Sequence, residues 1–402
     1  MHITAPSSTR IHAIDAIRGF CLLNIFINHI YVGVLNGFSP SRVMFSDSAE
    51  AFVFLAGISC FLAYSPRDNQ RSLAEGRAKV WRRAVTLFLV NMVIAFASLG
   101  ILLVSATFAD PAHPAIFPTE MIQEHGLATY LWHVLTMQQN VGYTVVLRLY
   151  VALLVVAPLY IWLATIRFWL PLIPAGAIWV TAGHFGLVEV NSLNHVDLAL
   201  TLLPWNLVFA VGVALGAAIV QKRSFPQHNI LTGAAALLVL AAPICFVVLT
   251  RLSPEILDWV NTRNDYFWTG ASKTLQSPLR VLYMAALGYL FIAWRHAPVV
   301  RAVHSVSAGN PLTQLGRKSL EVFAAGAILA VAVDNLLWAL SVNRIVLLES
   351  ANAIALEIAL TAAAFVIMLR IARSDRFTTA TVSRLIQDTV FNKRRRTNIA
   401  RA

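Results

Sequence analysis

The chain has 402 residues, of which 58 % are hydrophobic and only 12 % charged, and its mean hydropathy is +0.69. Soluble domains carry about 25 % charged residues, so the composition excludes a soluble globular protein and reads as an all-α, polytopic integral membrane protein. The net charge of +12 points to an anionic surface as neighbour. The three cysteines, Cys21, Cys60 and Cys245, are odd in number and lie in apolar runs, as buried thiols do; they imply no disulfide framework.

Taken in order, the apolar segments fall at 17–36, 49–64, 82–108, 145–166, 168–187, 202–220, 230–250, 279–294, 319–341 and 345–369. By the rule that about 17 to 25 apolar residues span a bilayer, these are about ten transmembrane helices. The first run is too long for a signal-peptide core and has no small-x-small cleavage site before Asn36-Gly37, so it reads as a retained helix. An even number of spans puts both termini on one side. Lys and Arg crowd that side, in Arg10, the 65–83 stretch, Arg167, Lys222, Arg223, Arg295, Arg301, Arg317, Lys318 and the tail from Arg370. The opposite side carries only Arg42, Arg148, Arg251, Arg263, Lys273, Arg280 and Arg344. This asymmetry predicts cytoplasmic termini. Residues 1–372 then form one transmembrane domain and 373–402 a basic cytoplasmic tail. Its Lys393-Arg394-Arg395-Arg396 would lie against anionic headgroups. A short tail is not a folded basic face, which argues against nucleic acid.

Charge inside the apolar helices is costly unless it has a partner or a task. Asp15, Arg18 and His29 occupy the first helix. Arg18 and His29 are eleven steps apart, about 1100° of helical rotation, so they lie within roughly 20° of one face and about 16 Å apart. The plain alternative is that Arg18 snorkels, Asp15 pairs with it and His29 bonds a backbone group. In the next helix, Ser46-Asp47-Ser48 reads as a helix start, with Ser46 or Asp47 as N-cap. Capping explains Glu50 less well, since it follows inside the run. His29 with a carboxylate partner is the minimum set for general-base activation of a hydroxyl, the acid holding the imidazole tautomer.

The connections predicted on the outer side hold the remaining candidates. Segment 109–144 carries Pro111, His113, Pro114, Glu120, Glu124, His125, Trp132-His133 and Gln138-Gln139-Asn140, and is long enough for a lid or re-entrant element. Its histidines lack helical metal-ligand spacing, so no metal site is expected. Arg148 and Tyr150 open the fourth helix. The 183–206 region offers His184, His195, Asp197, Trp205 and Asn206, and 251–278 offers Trp259, Arg263, Asp265, Trp268 and Lys273, leading to Arg280. Interfacial aromatic residues are usually membrane anchors; beside polar groups they also suit a sugar ring. Ser319 and Glu321 begin the ninth helix, and Asp334 lies about two-thirds of the way along it, with no partner assignable.

The runs Ile14-Asp15-Ala16-Ile17-Arg18-Gly19 to Ile27-Asn28-His29-Ile30, then Phe45-Ser46-Asp47-Ser48-Ala49-Glu50 to Gly57, resemble the OpgC family. These are osmoregulated periplasmic glucan succinyltransferases and relatives, within the wider transmembrane acyltransferase group marked by Arg, ten residues, then His. Looser similarities continue through Val146–Val151, Pro204–Phe209, Ser272-Lys273-Thr274 with Leu279-Arg280, and Leu315–Phe323. The chain departs from many relatives at Asn28 and Ser272, where an acid is common.

The resemblance implies a multi-pass bacterial inner-membrane enzyme moving an acyl group, succinyl in the named members, from cytoplasmic acyl-CoA to a glycan hydroxyl outside. It implies His29 as general base, Arg18 on the donor side, and Asp47 and Glu50 as the acids of the site. Asp15, Arg82, Arg83, Arg317 and Lys318 are further donor-side candidates, the cations for CoA phosphates. Asn28, Arg148, Tyr150, Trp205, Asn206, Lys273 and Arg280 are candidates for acceptor or acyl-carboxylate binding. The acyl-CoA is a co-substrate, no tightly bound cofactor is expected, and membrane lipids and a second copy of the chain are compatible partners. No Ser or Cys stands out as a nucleophile, which favours direct attack. Other readings are acetyl transfer to another glycan, a multi-helix transporter, though no internal repeat is visible, and a structural subunit whose polar residues bridge helices.

Overall fold

The first apolar run of the sequence ends earlier as a helix than its hydropathy suggests, and that early ending shapes the site. In the computed structural model the described residues are 12–42, 44–66, 72–109, 113, 119–223, 227–245, 248, 252–255, 258, 266–294, 296–345, 347 and 350–374. Arg10, Arg67, Arg71, Pro111, Pro114, the side chain of Glu120, Arg251, Trp259, Arg263, Asp265, Arg295 and the basic tail with Lys393–Arg396 lie outside them.

The described residues form helices α1 (His12–Asn28), α2 (Ser48–Tyr64), α3 (Leu73–Ser105), α4 (Thr119–His125), α5 (Leu127–Leu135), α6 (Val145–Ile166) and α7 (Leu172–Phe185). They continue with α8 (Leu202–Val220), α9 (Asn229–Ile244), α10 (Pro278–Ala293), α11 (Pro298–His304), α12 (Pro311–Arg317), α13 (Ser319–Val342) and α14 (Ala351–Arg373). Among these residues the one isolated β-bridge joins Val190 to Asp197. Helices α3, α6, α8, α13 and α14 are long and apolar enough to cross a membrane, and α2, α7, α9 and α10 are shorter apolar helices. The protein is an all-helical membrane protein.

Helices α6 and α8 fall where hydropathy puts them. α3 begins nine residues before its apolar segment, because Ser72 accepts the Glu75 backbone N–H at 3.2 Å and caps the helix. At 1.5 Å per residue α3 is about 50 Å long against a hydrocarbon core of about 30 Å, so its basic first turns overhang. α1 stops at Asn28, and the chain then turns through 3-10 segments Leu35–Phe38 and Pro40–Arg42. His29 is therefore the first residue past the helix rather than a residue inside it.

Two glycine crossings hold the bundle. Gly212 of α8 faces Gly57 of α2 and Gly216 faces Ile58 one turn on, and a Cβ at Gly57 or Gly212 would overlap the other helix's carbonyl oxygen (Phe209 or Phe54). Small residues four apart let helix backbones approach where no water is available to drive association. In the second crossing, Gly19 of α1 and Gly316 of α12 meet in the same way, each against the other helix's backbone. α13 packs along α1, α3 and α14, so the first helix sits between α2, α12 and α13 and its two ends meet different neighbours.

Candidate active site

The Asp15 end of α1 packs on α12. Arg18 does not extend to a free surface: its guanidinium donates to the Leu55 carbonyl at 3.1 Å and to the Ser59 hydroxyl, both on α2. Asp15 is buried beside this crossing, Arg317 is exposed, and Lys318 donates to the Ser374 carbonyl. Arg82 is exposed on the α3 overhang, its Nε on the Ala78 carbonyl, with Arg83 half-buried one position on.

At the opposite end of α1, the face carrying Leu22, Ile25, Phe26 and His29 lines a narrow cleft against Val322, Phe323, Gly326, Ala327 and Ala330 of α13, with Tyr143 at its end. These positions follow helical spacing on both elements, so the cleft runs along the α1–α13 seam and reaches the imidazole. Its free volume is about 10 Å³, room for about one water.

The His29 ring is half-buried. Its Nδ1 lies 2.5 Å from the Ile25 carbonyl oxygen. A carbonyl only accepts, so Nδ1 carries the proton and Nε2 keeps its lone pair. Among the described residues Nε2 has no hydrogen-bond partner, which leaves it available as a base. Tyr143 packs on the ring with centroids 3.9 Å apart and donates its hydroxyl to the His29 carbonyl at 2.5 Å. Tyr31 approaches edge-on at 6.3 Å.

The two acids expected to hold the His29 tautomer do something else. Asp47 and Glu50 form a capping box at the start of α2: Asp47 Oδ1 accepts the Ala49 N–H at 2.7 Å, and Glu50 Oε2 accepts the Asp47 N–H at 3.0 Å. Their remaining oxygens meet the segment before α10. Lys273 Nζ pairs with Asp47 Oδ2 at 2.5 Å. Arg280 Nε donates to Glu50 Oε1 at 2.7 Å, its terminal nitrogen joins the same oxygen, and Gln276 adds a third bond at 3.1 Å. With Glu50 fully buried, these donors compensate a carboxylate that is otherwise costly in this environment. Burial pushes the Asp47 carboxyl up, but the Lys273 ammonium and the hydrogen bonds around it prevail and hold it below the usual carboxylate range. Burial also works against the Lys273 charge, and the Asp47 and Glu50 carboxylates more than offset it, keeping the ammonium above the ordinary lysine value. Gln276 is fully buried with φ +51°, a left-handed conformation unusual for its type, and it also accepts the Trp179 indole N–H at 2.7 Å. The tautomer role thus belongs to a backbone carbonyl, while the acids lock α2 to the 271–280 segment.

Other candidates separate. Arg148 pairs with Glu189 at 3.3 Å and bonds the Ala199 carbonyl, so it faces the 189–200 loop. Tyr150 donates to the Phe52 carbonyl at 2.6 Å and braces α2. Trp205 and Asn206 are buried on α8, and Asn206 accepts the hydroxyl of Tyr160 on α6 at 2.7 Å. Asn28 accepts from Ser41, in a chain of side chains continuing through Ser39 and Asn24 to Ser48. His125 contacts the Leu193 carbonyl and His133 that of Thr129, apart from His113.

Asp334, left without a partner by the sequence, accepts the Val32 N–H at 3.0 Å and lies 3.2 Å from His113 Nε2. Glu357 was missed, although an acid within the apolar α14 run is itself a signal. So was Tyr143, which nothing in its sequence context distinguishes from an interfacial anchor.

A family model described as OpgC protein matches residues 10–378. The chain belongs to the OpgC family. The OpgC match covers both ends of the α1 stripe, the capping box and the 271–280 segment. Its family is one of membrane acyltransferases of glucans. No curated protein and no solved structure matches the chain.

Proposed function

We propose that the protein transfers an acyl group, succinyl by family expectation, from cytoplasmic acyl-CoA to a hydroxyl of a periplasmic glucan, in a bacterial inner membrane crossed about ten times with both termini inside. The observation that carries this is the His29 imidazole, its proton placed on Nδ1 by the Ile25 carbonyl and its Nε2 free at the end of the α1–α13 seam.

In this reading Nε2 takes the proton of the acceptor hydroxyl as the oxygen attacks the thioester carbonyl. The carbon–oxygen bond forms, the carbon–sulfur bond breaks, and the imidazolium returns its proton to the leaving thiolate. No covalent acyl-enzyme is required. CoA phosphates stay at the Asp15 end of the bundle with Arg82, Arg83 and Arg317, and the slim pantetheine arm follows the seam. The seam has only a water's width, so donor binding must widen it. Arg18 acts by holding α1 to α2 at the donor end. Lys273, whose side chain is 39 % exposed, has N–H capacity beyond its Asp47 bond for a carboxylate on the acyl group.

The test is transfer of labelled succinyl from succinyl-CoA to glucan by the full chain in lipid nanodiscs, followed by mass spectrometry of the glucan. Product with the wild type and none with His29→Ala is expected. Equal product from a correctly folded His29→Ala protein would end the proposal.

A further inference from the structure

The turn that follows α1 is held by two carboxylates from the far end of the chain. Val32 N–H donates to Asp334 Oδ1 at 3.0 Å, 302 positions away. Val34 and Leu35 N–H donate to the two oxygens of Glu357 at 2.8 and 3.1 Å, more than 300 positions away. Both acids are buried, Asp334 at 0 % and Glu357 at 2 % exposure. Gly33 lies between these donors, and a Cβ there would overlap the Glu357 carboxylate. Among the described residues no Lys, Arg or His pairs with Glu357, so two backbone N–H groups are what balance its charge, as in an anion-binding nest. Asp334 turns its second oxygen toward His113, whose ring packs on Trp338 with centroids 5.0 Å apart.

Burying two carboxylates to secure one short turn is costly when water or a hydroxyl would satisfy the same donors. The turn begins at His29. With the Ile25 carbonyl fixing the tautomer and Tyr143 covering one ring face, the remaining freedom of the imidazole is the path of the backbone that carries it.

We propose that Asp334 and Glu357 are positioning residues for His29: they fix the 30–35 turn against α13 and α14. This rests on His29 acting as the base. The charged groups that act on the ring are Lys273, Asp47 and Asp334, with the neutral Tyr31 and Tyr143 beside it. Asp47 is paired with the Lys273 ammonium at 2.5 Å, whereas Asp334 faces the His113 imidazole at 3.2 Å.

The experiment compares Asp334→Asn, Asp334→Ala, Glu357→Gln and Glu357→Ala in nanodiscs by kcat, KM and pH profile. Asp334→Asn retains an oxygen for Val32 but loses the charge. Its kcat should fall by about tenfold or more with KM within about twofold, and the acidic limb of kcat/KM should move to lower pH, since a less favoured imidazolium loses its proton earlier. Glu357→Gln keeps one of two acceptors, and its kcat should fall by roughly three- to tenfold without moving the limb. The alanine variants should lose more. Unchanged kcat in both amide variants, or loss of melting temperature alone, overturns the proposal. Carbethoxylation of His29, read by peptide mass spectrometry, needs no turnover. A changed rate in Glu357→Gln supports positioning and an unchanged one counts against it. An inactive wild type would end the acyltransferase reading and leave this second measurement standing.

Discussion

Tyr143 lays its ring on the His29 imidazole, centroids 3.9 Å apart, and donates its hydroxyl to the carbonyl of the same residue. The imidazole and its backbone are therefore gripped by one side chain from the turn that precedes α6. Replacing His29 with Ala should lower transfer by about 10²- to 10⁴-fold, the usual scale for general-base catalysis. Tyr143→Phe keeps the stacked ring and loses a hydrogen bond worth about 1 kcal/mol, so its rate should fall by tenfold at most. Turnover of labelled succinyl-CoA decides. A larger loss in Tyr143→Phe than in His29→Ala would contradict this ordering.

Glu50 and Arg280 form a buried ion pair, and removing one partner strands the other. Arg280→Met should destabilise the protein by about 3–5 kcal/mol, and adding Glu50→Gln should restore much of it. Thermal unfolding of the two variants in detergent measures this. If Glu50 instead served His29 directly, Glu50→Gln would abolish turnover at an unchanged melting temperature.

The Asp47–Lys273 pair sets a pH window. Asp47 is held low, so its contribution is present above the ordinary carboxylate value of about 4 and is lost as pH falls through its lower folded value. Lys273 is held high, so its contribution is present below about 10.4 and is lost as pH rises through its higher folded value. Lys273→Met should cost about 1 kcal/mol between those limits, discounted because the lysine is partly exposed. Melting curves across pH should show the wild-type advantage shrinking at both extremes; an advantage that grows toward acid would refute the assignment.

Gly326 lines the seam leading to His29, with Met368 as the nearest neighbour of an added Cβ at 3.2 Å. Gly326→Leu should fill the cleft and raise KM for acyl-CoA by roughly tenfold or more, on the view that lost donor binding appears in KM. An unchanged donor KM would place the acyl path elsewhere.

Gly212 has the Phe54 carbonyl where a Cβ would go, whereas at Gly233 in α9 nothing beyond its chain neighbours and its own helix backbone lies within 4 Å of that position. Gly212→Ala should reduce the yield of folded protein sharply. Gly233→Ala should be neutral or stabilise by up to about 1 kcal/mol, the helix-propensity difference. Size-exclusion profiles of the two variants give the comparison.

Local signals were readable where they depend on near neighbours in the chain. The spans of α6 and α8, the Asp47 cap and the shared face of Leu22, Ile25 and His29 all follow from hydropathy and helical period. Ser72-Leu73-Ala74-Glu75 also carries a capping signature that extends α3, and it lies inside the basic 65–83 stretch, ahead of the apolar segment. Arg18 is on the expected stripe, yet its long side chain reaches α2, because spacing fixes where a side chain starts and not where a flexible one ends.

By itself the sequence determined an all-helical membrane protein, its OpgC resemblance, and His29 as the residue to examine, since apolar runs, helical period and a local motif are written in consecutive positions. Which acid serves which partner was decided only by the tertiary structure. Glu50 meets Arg280 across 230 positions and Asp334 meets Val32 across 302. A buried carboxylate goes to whichever donors the packing brings within 3 Å, and that distance is a property of the assembled helices.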